Sequence, residues 1–269
     1  MVIRKIGNTM VKKIRTEFLN LIYTKILSYE VIRRKIYEII KYLRGDGKYK
    51  YEKMGYLDAS KIVREARSSG LTVPEYVEKI FGVVGQAEEV INEIRGLGAL
   101  ENVEVVCEIG PGTGRYLDKI IRYAKPKQYH IYETASDWAM YLEKTYYPLV
   151  IRHDADGYTL RHTPDSSCDL VVAFGVFVYL DFLNCFEYFK EMVRVCKKDK
   201  FIVFDCFLDD SWDEATIQKW MDSGWTYPVV LPSRLVINFF ENRNFKLVHR
   251  FRKRHGPDFS DYLVFKGVA

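Results

Sequence analysis

No run of apolar residues in this 269-residue chain approaches the ~20 that are needed to span a membrane. The first residues lack the short apolar core and small-residue cleavage site of a secretory signal, which favours a cytoplasmic protein. The five cysteines form no Cys-x-x-Cys pair and have no spacing to histidine that suits zinc, so we expect reduced, buried thiols and no metal site. With 48% hydrophobic and 29% charged residues, the composition is that of a globular protein, long enough for a catalytic domain with an appended segment.

Acidic residues are scarce at the front of the chain, where residues 1–50 hold 13 lysines and arginines against 4 aspartates and glutamates. The other 219 residues hold 28 basic and 32 acidic side chains, so the net charge of +5 arises at the front. Apolar residues recur every three or four positions from about residue 9 to residue 44, which predicts an amphipathic helix with a basic face. We therefore predict a basic helical arm over residues 1–47.

Two kinds of partner suit this arm. In one interpretation it packs on the body of the protein or on a second subunit in a homodimer. In the other it rests peripherally on the anionic inner face of a membrane, because a basic face opposite Ile, Leu, Phe and Tyr is typical of membrane-surface helices. We expect no nucleic acid partner, because the remaining chain is acidic and has no recognisable RNA-binding module.

Residues 48–100 predict a helical cap in front of the catalytic part. The residues Asp58-Ala59-Ser60 are predicted to open one helix that spans Lys61 to Ser68. The sequence TVPE at 72–75 combines a capping residue, a proline in the first turn and a glutamate three residues after the cap, which predicts the start of the next helix. A third helix is predicted over about 86–95.

From residue 103 onward, short apolar runs alternate with helical patterns, which is typical of a mainly parallel sheet with crossover helices. We predict an α/β catalytic domain over residues 101–269 with seven strands, the last two antiparallel because a short connection joins them. The strands are predicted near 103–109, 129–133, 149–153, 168–174, 200–207, 246–252 and 260–266. The helices are predicted near 114–124, 137–146, 182–196 and 233–243. Residues 209–232 exceed what a strand-to-helix connection needs, so we predict an insertion with a short helix at 213–222.

The stretch VVCEIGPGTGR at 105–115 combines an apolar run, an acid and three alternating glycines, which predicts a strand that turns sharply into a helix. Gly110, Gly112 and Gly114 allow the main chain to approach a ligand closely, and the helix points its free N–H groups at that ligand. The spacing differs from the dinucleotide fingerprint Gly-x-Gly-x-x-Gly. It resembles motif I of the class I methyltransferases, enzymes that use S-adenosylmethionine.

This resemblance implies a Rossmann-like, mostly parallel sheet of seven strands and a set of cofactor contacts. Glu108 would hold the amino group of the methionine part of the cofactor, directly or through water, and Ile109 with the three glycines would pass beside it. Glu133 lies 19 positions after Gly114 at the end of the second predicted strand, where the family's acid accepts hydrogen bonds from both ribose hydroxyls. Phe174, after the fourth predicted strand, would be a further contact.

The loop after the third predicted strand resembles the family segment that binds adenine. Asp156, Gly157 and Leu160 stand at the family spacing, and the sequence PDSSCD follows at 164–169. This spacing favours Asp156, with Gly157 beside it, over Asp154 as the acceptor from the adenine amine. One extra residue between Leu160 and the proline departs from the commonest spacing, so both aspartates remain open.

The resemblance implies an in-line displacement in which a nucleophile takes the methyl group from the sulfonium of the cofactor. The Asn/Asp-Pro-Pro-Tyr/Phe motif of amino-group methyltransferases is absent after the fourth predicted strand, and no Pro-Cys nucleophile for carbon methylation is found. Oxygen methylation of a small molecule or a cell-surface glycan is the leading hypothesis, since residues 56–67, 175–180 and 224–228 resemble a bacterial group associated with surface-glycan methylation. An RNA methyltransferase and a non-catalytic binding protein with this fold are the alternatives.

A hydroxyl acceptor needs a base, and two residues are candidates. His255, between the last two predicted strands, can take a proton near neutral pH, although it follows three basic residues and a solvated loop position is the other interpretation. Asp205, near the end of the fifth predicted strand, is the second candidate. The acceptor pocket is predicted to have the aromatic walls Tyr179, Trp225 and Tyr227.

Overall fold

Three helices precede the sheet, and local sequence sets their ends. A computed structural model describes residues 57–224 and 228–268, and the three helices are α1 (Ala59–Ser68), α2 (Val73–Phe81) and α3 (Gln86–Gly96). The Asp58 side chain accepts the N–H of Lys61 at 2.8 Å and caps α1. Thr72 and Glu75 form the predicted capping box before α2: Thr72 Oγ1 accepts the Glu75 N–H at 3.4 Å, and Glu75 Oε2 accepts the Thr72 N–H at 2.8 Å.

Part of the predicted architecture lies outside the described residues. This applies to the basic arm at 1–47 with its partners, and to the pocket residues Trp225 and Tyr227. The boundaries between arm, cap and catalytic domain therefore stay predictions. Within residues 57–224 and 228–268, no helix is long and apolar enough to cross a membrane.

The described chain forms a mixed sheet whose order follows from parallel crossovers. Its strands are β1 (Val105–Ile109), β2 (Gln128–Tyr132), β3 (Val150–His153), β4 (Cys168–Ala173), β5 (Cys196–Leu208), β6 (Val230–Leu231), β7 (Phe245–His255) and β8 (Asp258–Gly267). The order is β3-β2-β1-β4-β5-β8-β7, and β1 to β5 run parallel. β8 is antiparallel to both β5 and β7. The prediction of a mostly parallel seven-stranded sheet with an antiparallel last pair is confirmed.

Helices on both sides of the sheet connect the strands. They are α4 (Arg115–Ala124), α5 (Ser136–Thr145), α6 (Phe182–Val195), α7 (Glu214–Ser223) and α8 (Ser233–Glu241). The chain leaves β1 toward β2 on one side and later returns to place β4 on the other, so the strand order reverses beside β1. In open α/β sheets, ligands bind beyond the carboxyl ends of the strands at such a reversal.

Successive residues of β1 enter two separate hydrophobic clusters, because side chains alternate between the two faces of a strand. Ile109 belongs to one cluster together with Phe189 of α6. Val106 belongs to the other together with Ile120 of α4. All five cysteines are buried and unpaired with one another, in agreement with the prediction from their spacing. Both faces of β1 are therefore covered by hydrophobic clusters.

Three details differ from the sequence prediction. The two-residue strand β6 in the predicted insertion pairs with the end of β5, and it is too short to show a periodicity. β5 begins at Cys196, earlier than predicted, because α6 passes into it without a loop. β7 and β8 extend to His255 and Asp258, so the two-residue turn between them presents His255 at a strand end instead of in a loop.

Candidate cofactor and acceptor site

The turn after β1 is built from glycines in a backbone conformation that other residues avoid. Gly110, Gly112 and Gly114 have φ angles of 60°, 53° and 81°. A side chain on Gly112 would meet no atom of the described residues within 4 Å, so the loop borders open space there. α4 begins directly afterwards at Arg115, and no described side chain caps its first N–H groups. The turn is therefore an open cradle with backbone donors at a helix start, which suits a polar ligand.

Glu133 follows β2 and ties its end to this glycine turn. Its Oε2 accepts the N–H of Gly112 at 2.8 Å, and its Oε1 accepts the N–H of Ala135 at 2.8 Å. Burial raises the pKa of Glu133, and the hydrogen bonds from Ala135 and Gly112 oppose the rise. Because a carboxylate oxygen can accept more than one hydrogen bond, both oxygens retain capacity for hydroxyl donors from a ligand.

Glu108 lies within β1 and is enclosed, with 1% of its surface exposed. Its Oε2 accepts the hydroxyl of Tyr129 at 2.6 Å. Burial raises the pKa of Glu108 to about 8, and the Tyr129 hydrogen bond opposes the rise. The carboxyl group is therefore largely protonated near neutral pH in this enclosed setting, and a nearby cationic group would favour its ionised form.

The two predicted aspartates in the loop after β3 differ in exposure and in hydrogen bonding. Asp156 Oδ1 accepts the N–H groups of Tyr158 and Thr159 at 3.0 and 2.7 Å, and its Oδ2 accepts the Thr159 hydroxyl at 2.6 Å. The carboxylate of Asp156 thus closes its own turn, in which Gly157 has a φ of 87°. Asp154 is exposed and forms no hydrogen bond with the described residues. Both remain candidates for the adenine contact, and Asp156 has little spare accepting capacity.

The structure brings the two candidate bases together. His255, the last residue of β7, has its Nδ1 3.8 Å from Oδ2 of Asp205 in β5, although β8 lies between these strands. Asp205 is fully buried and accepts the N–H of Gly175 at 2.6 Å and the hydroxyl of Ser260 at 2.8 Å. The His255 ring contacts the Phe207 ring edge-on at a centroid distance of 5.5 Å. The sequence treated these two residues as alternatives, whereas they form one pair in which Asp205 is buried and His255 is half-buried.

Burial and mutual attraction set the ionisation of this pair. Burial lowers the pKa of His255, and the charge of Asp205 opposes the change. Burial likewise raises the pKa of Asp205, and His255, the Gly175 N–H and Ser260 oppose the change. His255 is therefore neutral at physiological pH, and a carboxylate stands beside it to stabilise the charged ring after it takes a proton.

Two predicted contacts lie in the hydrophobic interior. Phe174, after β4, packs against the rings of Tyr116 and Tyr262 with centroid distances of 4.3 and 6.0 Å. Tyr179 packs against the small buried cluster that contains Phe207. Both therefore flank the elements that hold the Asp205–His255 pair.

A cleft of ≈ 280 Å³ opens between the α2–α3 turn and the β7–β8 hairpin. It is lined by residues Gly82, Val83, Val84, Gln86, Glu89, Arg252, Lys253, Arg254 and Phe259. Gln86 spans the two elements, because its Nε2 donates to the main-chain oxygen of Arg254 at 3.0 Å. The lining includes Arg254, the residue before His255, but not His255 itself. Within the described residues no group of three or more His, Cys, Asp and Glu side chains could hold a metal.

Sequence reasoning missed the polar residues that surround the pair. Arg115, Tyr116, Ser260 and Tyr262 carry no motif in α4 or β8, and only the position of Arg115 directly after the glycine turn pointed to the site. The hydroxyls of Tyr116 and Tyr262 form a hydrogen bond of 2.9 Å in the buried interior.

Residues 107–204 match the family profile described as a methyltransferase domain. A search of the curated proteins finds no match. Among solved structures, the fold is similar to magnesium protoporphyrin IX methyltransferase from Synechocystis with bound S-adenosylhomocysteine, at 11% identity and a TM-score of 0.55, covering 86% of this chain and 99% of that chain.

Two further solved structures share the fold. An O-methyltransferase family protein from Burkholderia thailandensis aligns at 13% identity and a TM-score of 0.55, covering 85% of this chain and 70% of that chain. A putative sarcosine dimethylglycine methyltransferase from Galdieria sulphuraria aligns at 12% identity and a TM-score of 0.52, covering 68% of this chain and 84% of that chain. Residues 107–204 thus match a methyltransferase domain, and the sheet around them has the Rossmann-like fold seen in these S-adenosylmethionine-dependent methyltransferases.

Proposed function

We propose that the protein is an O-methyltransferase in which His255 takes the proton of an acceptor hydroxyl and Asp205 orients and stabilises His255. The observation that carries this proposal is the Asp205–His255 pair itself, with 3.8 Å between Nδ1 and Oδ2, at the carboxyl end of the sheet. A neutral imidazole suits general-base work near neutral pH, and an adjacent carboxylate stabilises the imidazolium that forms.

Cofactor binding completes the proposal. S-Adenosylmethionine supplies a methyl group on a sulfonium, which is already a good leaving group. Glu133 binds the ribose hydroxyls, and Glu108 favours its ionised form when it faces the methionine amino group. The segment Ile109–Gly114 borders the methionine part, Gly157 lies at the edge of the adenosine site, and Asp156 or Asp154 accepts the adenine amine. Phe174 is buried against Tyr116 and Tyr262, so it supports the site from the interior. The open space at Gly112 and its N–H bond to Glu133 support this arrangement.

The protein then contributes alignment and proton transfer. Nδ1 of His255 lies 3.8 Å from Oδ2 of Asp205, which supports the imidazole of His255 as the group that takes the proton. Phe207 packs on the imidazole ring, and the Gly175 N–H and Ser260 hydroxyl hold the carboxylate of Asp205. A base that is held beside a bound acceptor makes proton transfer an effectively unimolecular step.

The acceptor we propose is a hydroxyl on a small molecule or on a sugar unit of a surface glycan. Tyr179 supports an aromatic wall, and Trp225 and Tyr227 belong to the same proposal although they lie outside the described residues. The arm at 1–47 also lies outside them, and its charge supports contact with a second subunit or with the cytoplasmic face of a membrane.

The test combines acceptor discovery with paired histidine variants. Labelled S-adenosylmethionine is incubated with the full chain and with fractionated metabolite, glycan, lipid and RNA extracts. With the acceptor found, His255→Ala should lower kcat by ~10²-fold or more at unchanged S-adenosylhomocysteine affinity, as removal of a general base does. His249→Ala is the matched control, because His249 lies on the same strand and meets Glu93 at 3.4 Å. A loss of less than about threefold in His255→Ala would reject the base, and label in RNA alone would reject the acceptor class.

A further inference from the structure

Arg115 is a half-buried cation that has no carboxylate partner among the described residues. Its Nη2 donates to the Tyr116 hydroxyl at 3.2 Å, and its guanidinium lies 4.7 Å from the centre of the Tyr116 ring. Its Nη1 is shielded from solvent and has no hydrogen-bond partner among residues 57–224 and 228–268. No carboxylate of the described chain lies within the 4.0 Å of an ion pair. A buried charged donor without a partner is costly, so such a group is expected to meet a ligand.

The helix that carries Arg115 gains nothing from its charge. Arg115 is the first residue of α4, and a cation at a helix N-terminus is unfavourable because the helix dipole is positive there. Stabilisation of α4 therefore does not explain why an arginine stands at position 115. The first N–H groups of α4 and the arginine together favour an anion at the same place.

Arg115 lies within electrostatic reach of the base. Its partner Tyr116 bonds to Tyr262 at 2.9 Å, and Tyr262 pairs with Asp205 across β5 and β8. Burial raises the pKa of Asp205 and lowers that of His255, and the charge of Arg115 lowers both. A molecule whose hydroxyl meets the base can therefore place a second group near Arg115.

Gln86 connects a nearby cleft with the residues around Arg115. It lines the cleft between the α2–α3 turn and the β7–β8 hairpin, donates to the main-chain oxygen of Arg254 at 3.0 Å, and also hydrogen-bonds with Tyr116. Arg115 and His255 themselves do not line this cleft.

We propose that Arg115 binds a carboxylate of the acceptor, so that the acceptor carries a methylatable hydroxyl and a carboxylate in one molecule, as uronic acids and hydroxyaromatic acids do. A guanidinium offers parallel N–H donors to a carboxylate, and Nη1 with the second N–H of Nη2 forms such a fork. This inference rests on the proposed O-methyl transfer for the role of the hydroxyl, and the carboxylate contact is measured separately.

The test compares acids with their amides. Binding of 4-hydroxybenzoate and glucuronate is measured by ligand-observed NMR with the full chain and saturating S-adenosylhomocysteine, against 4-hydroxybenzamide and glucuronamide. At least one acid should bind about tenfold or more tightly than its amide, as expected for a charge-assisted contact. Arg115→Gln should remove this preference and leave the S-adenosylhomocysteine affinity within about threefold. Arg122→Gln on the same helix, whose arginine is exposed and pairs with Asp118 at 3.0 Å, should retain the preference.

Three results of these binding measurements would overturn the inference. The first is that the unaltered chain binds neither acid more tightly than its amide. The second is that Arg115→Gln still prefers the acid. The third is that Arg115→Gln loses S-adenosylhomocysteine affinity by about tenfold or more while its affinity for 5′-methylthioadenosine is unchanged. The last result would assign Arg115 to the carboxylate of the cofactor. If Arg115→Gln does not fold, Arg115→Lys retains the charge without the fork and should weaken the preference. Methyl transfer to an acceptor without an acid group would leave the proposed function standing and reject this inference.

Discussion

The two edges of the same sheet use carboxylates in opposite ways. At the edge where the strands begin, Asp169 of β4 accepts the N–H groups of Glu104 and Val105 at 2.9 and 3.0 Å. Lys197 lies 2.8 Å and Lys200 3.7 Å from its Oδ1. Burial alone would raise the pKa of Asp169, but Lys197 and the two N–H groups lower it overall. This carboxylate is fully compensated and joins β1 to β4.

At the edge where the strands end, three carboxylates remain without such compensation. Glu108, Glu133 and Asp205 each have a pKa raised mainly by burial. Among the described residues, no lysine or arginine lies within ion-pair distance of them, and His255 at 3.8 Å from Asp205 is the nearest basic group. The carboxylate at the first edge therefore stabilises the sheet, whereas the carboxylates at the second edge can still accept hydrogen bonds from a ligand, or protons.

Asp169→Ala should have the largest effect on folding. Removing a compensated, buried carboxylate leaves two N–H groups and Lys197 without a partner, so the free energy of unfolding should fall by ~2–3 kcal/mol. Chemical denaturation measures this change. Asp165→Ala is the control, because Asp165 is exposed although it pairs with Arg194 at 2.5 Å, and its loss should cost less than ~1 kcal/mol. Equal effects of the two variants would remove the proposed distinction for the first edge.

Glu133→Ala should act on ligand binding. It should weaken S-adenosylhomocysteine binding by ~1.5–3 kcal/mol, because charge-assisted hydrogen bonds to the ribose are lost. Isothermal titration measures the affinity, and Glu143→Ala, which removes an exposed acid paired with Arg152 at 3.1 Å, should leave it unchanged. An unchanged affinity in Glu133→Ala would exclude this residue from the cofactor site.

Glu108→Gln should change how stability depends on pH. The pKa of Glu108 is raised to about 8 from the ordinary value of 4.5, so between these values the folded chain holds more protons than the unfolded chain. Stability from this group is therefore present at low pH and is lost as pH rises, with a slope of up to ~1.4 kcal/mol per pH unit. Glu108→Gln should flatten this loss, as followed by denaturation at pH 5 to 8. An unaltered slope would show that Glu108 is ionised throughout.

Much of the fold follows from local sequence, because the features that define it are local. Thr72 and Glu75 predicted the start of α2, and the glycine turn predicted the passage from β1 into α4. The pairing of Asp205 with His255 could not be predicted, since their strands are separated by β8 and the register of three strands sets the distance. The unpartnered Nη1 of Arg115 is likewise invisible in the sequence, because the lack of a partner is a property of the packed interior.

The most direct test of the account is the pH profile of kcat for the unaltered chain and for Asp205→Asn. Activity should rise with pH as His255 loses its proton, with a midpoint below about 6.5 because burial lowers the pKa of His255. Asp205→Asn should move that midpoint to lower pH, since the carboxylate that favours the charged ring is gone, and should lower the plateau by ~10-fold or more. A midpoint and plateau that both stay unchanged in Asp205→Asn would contradict the Asp205–His255 base.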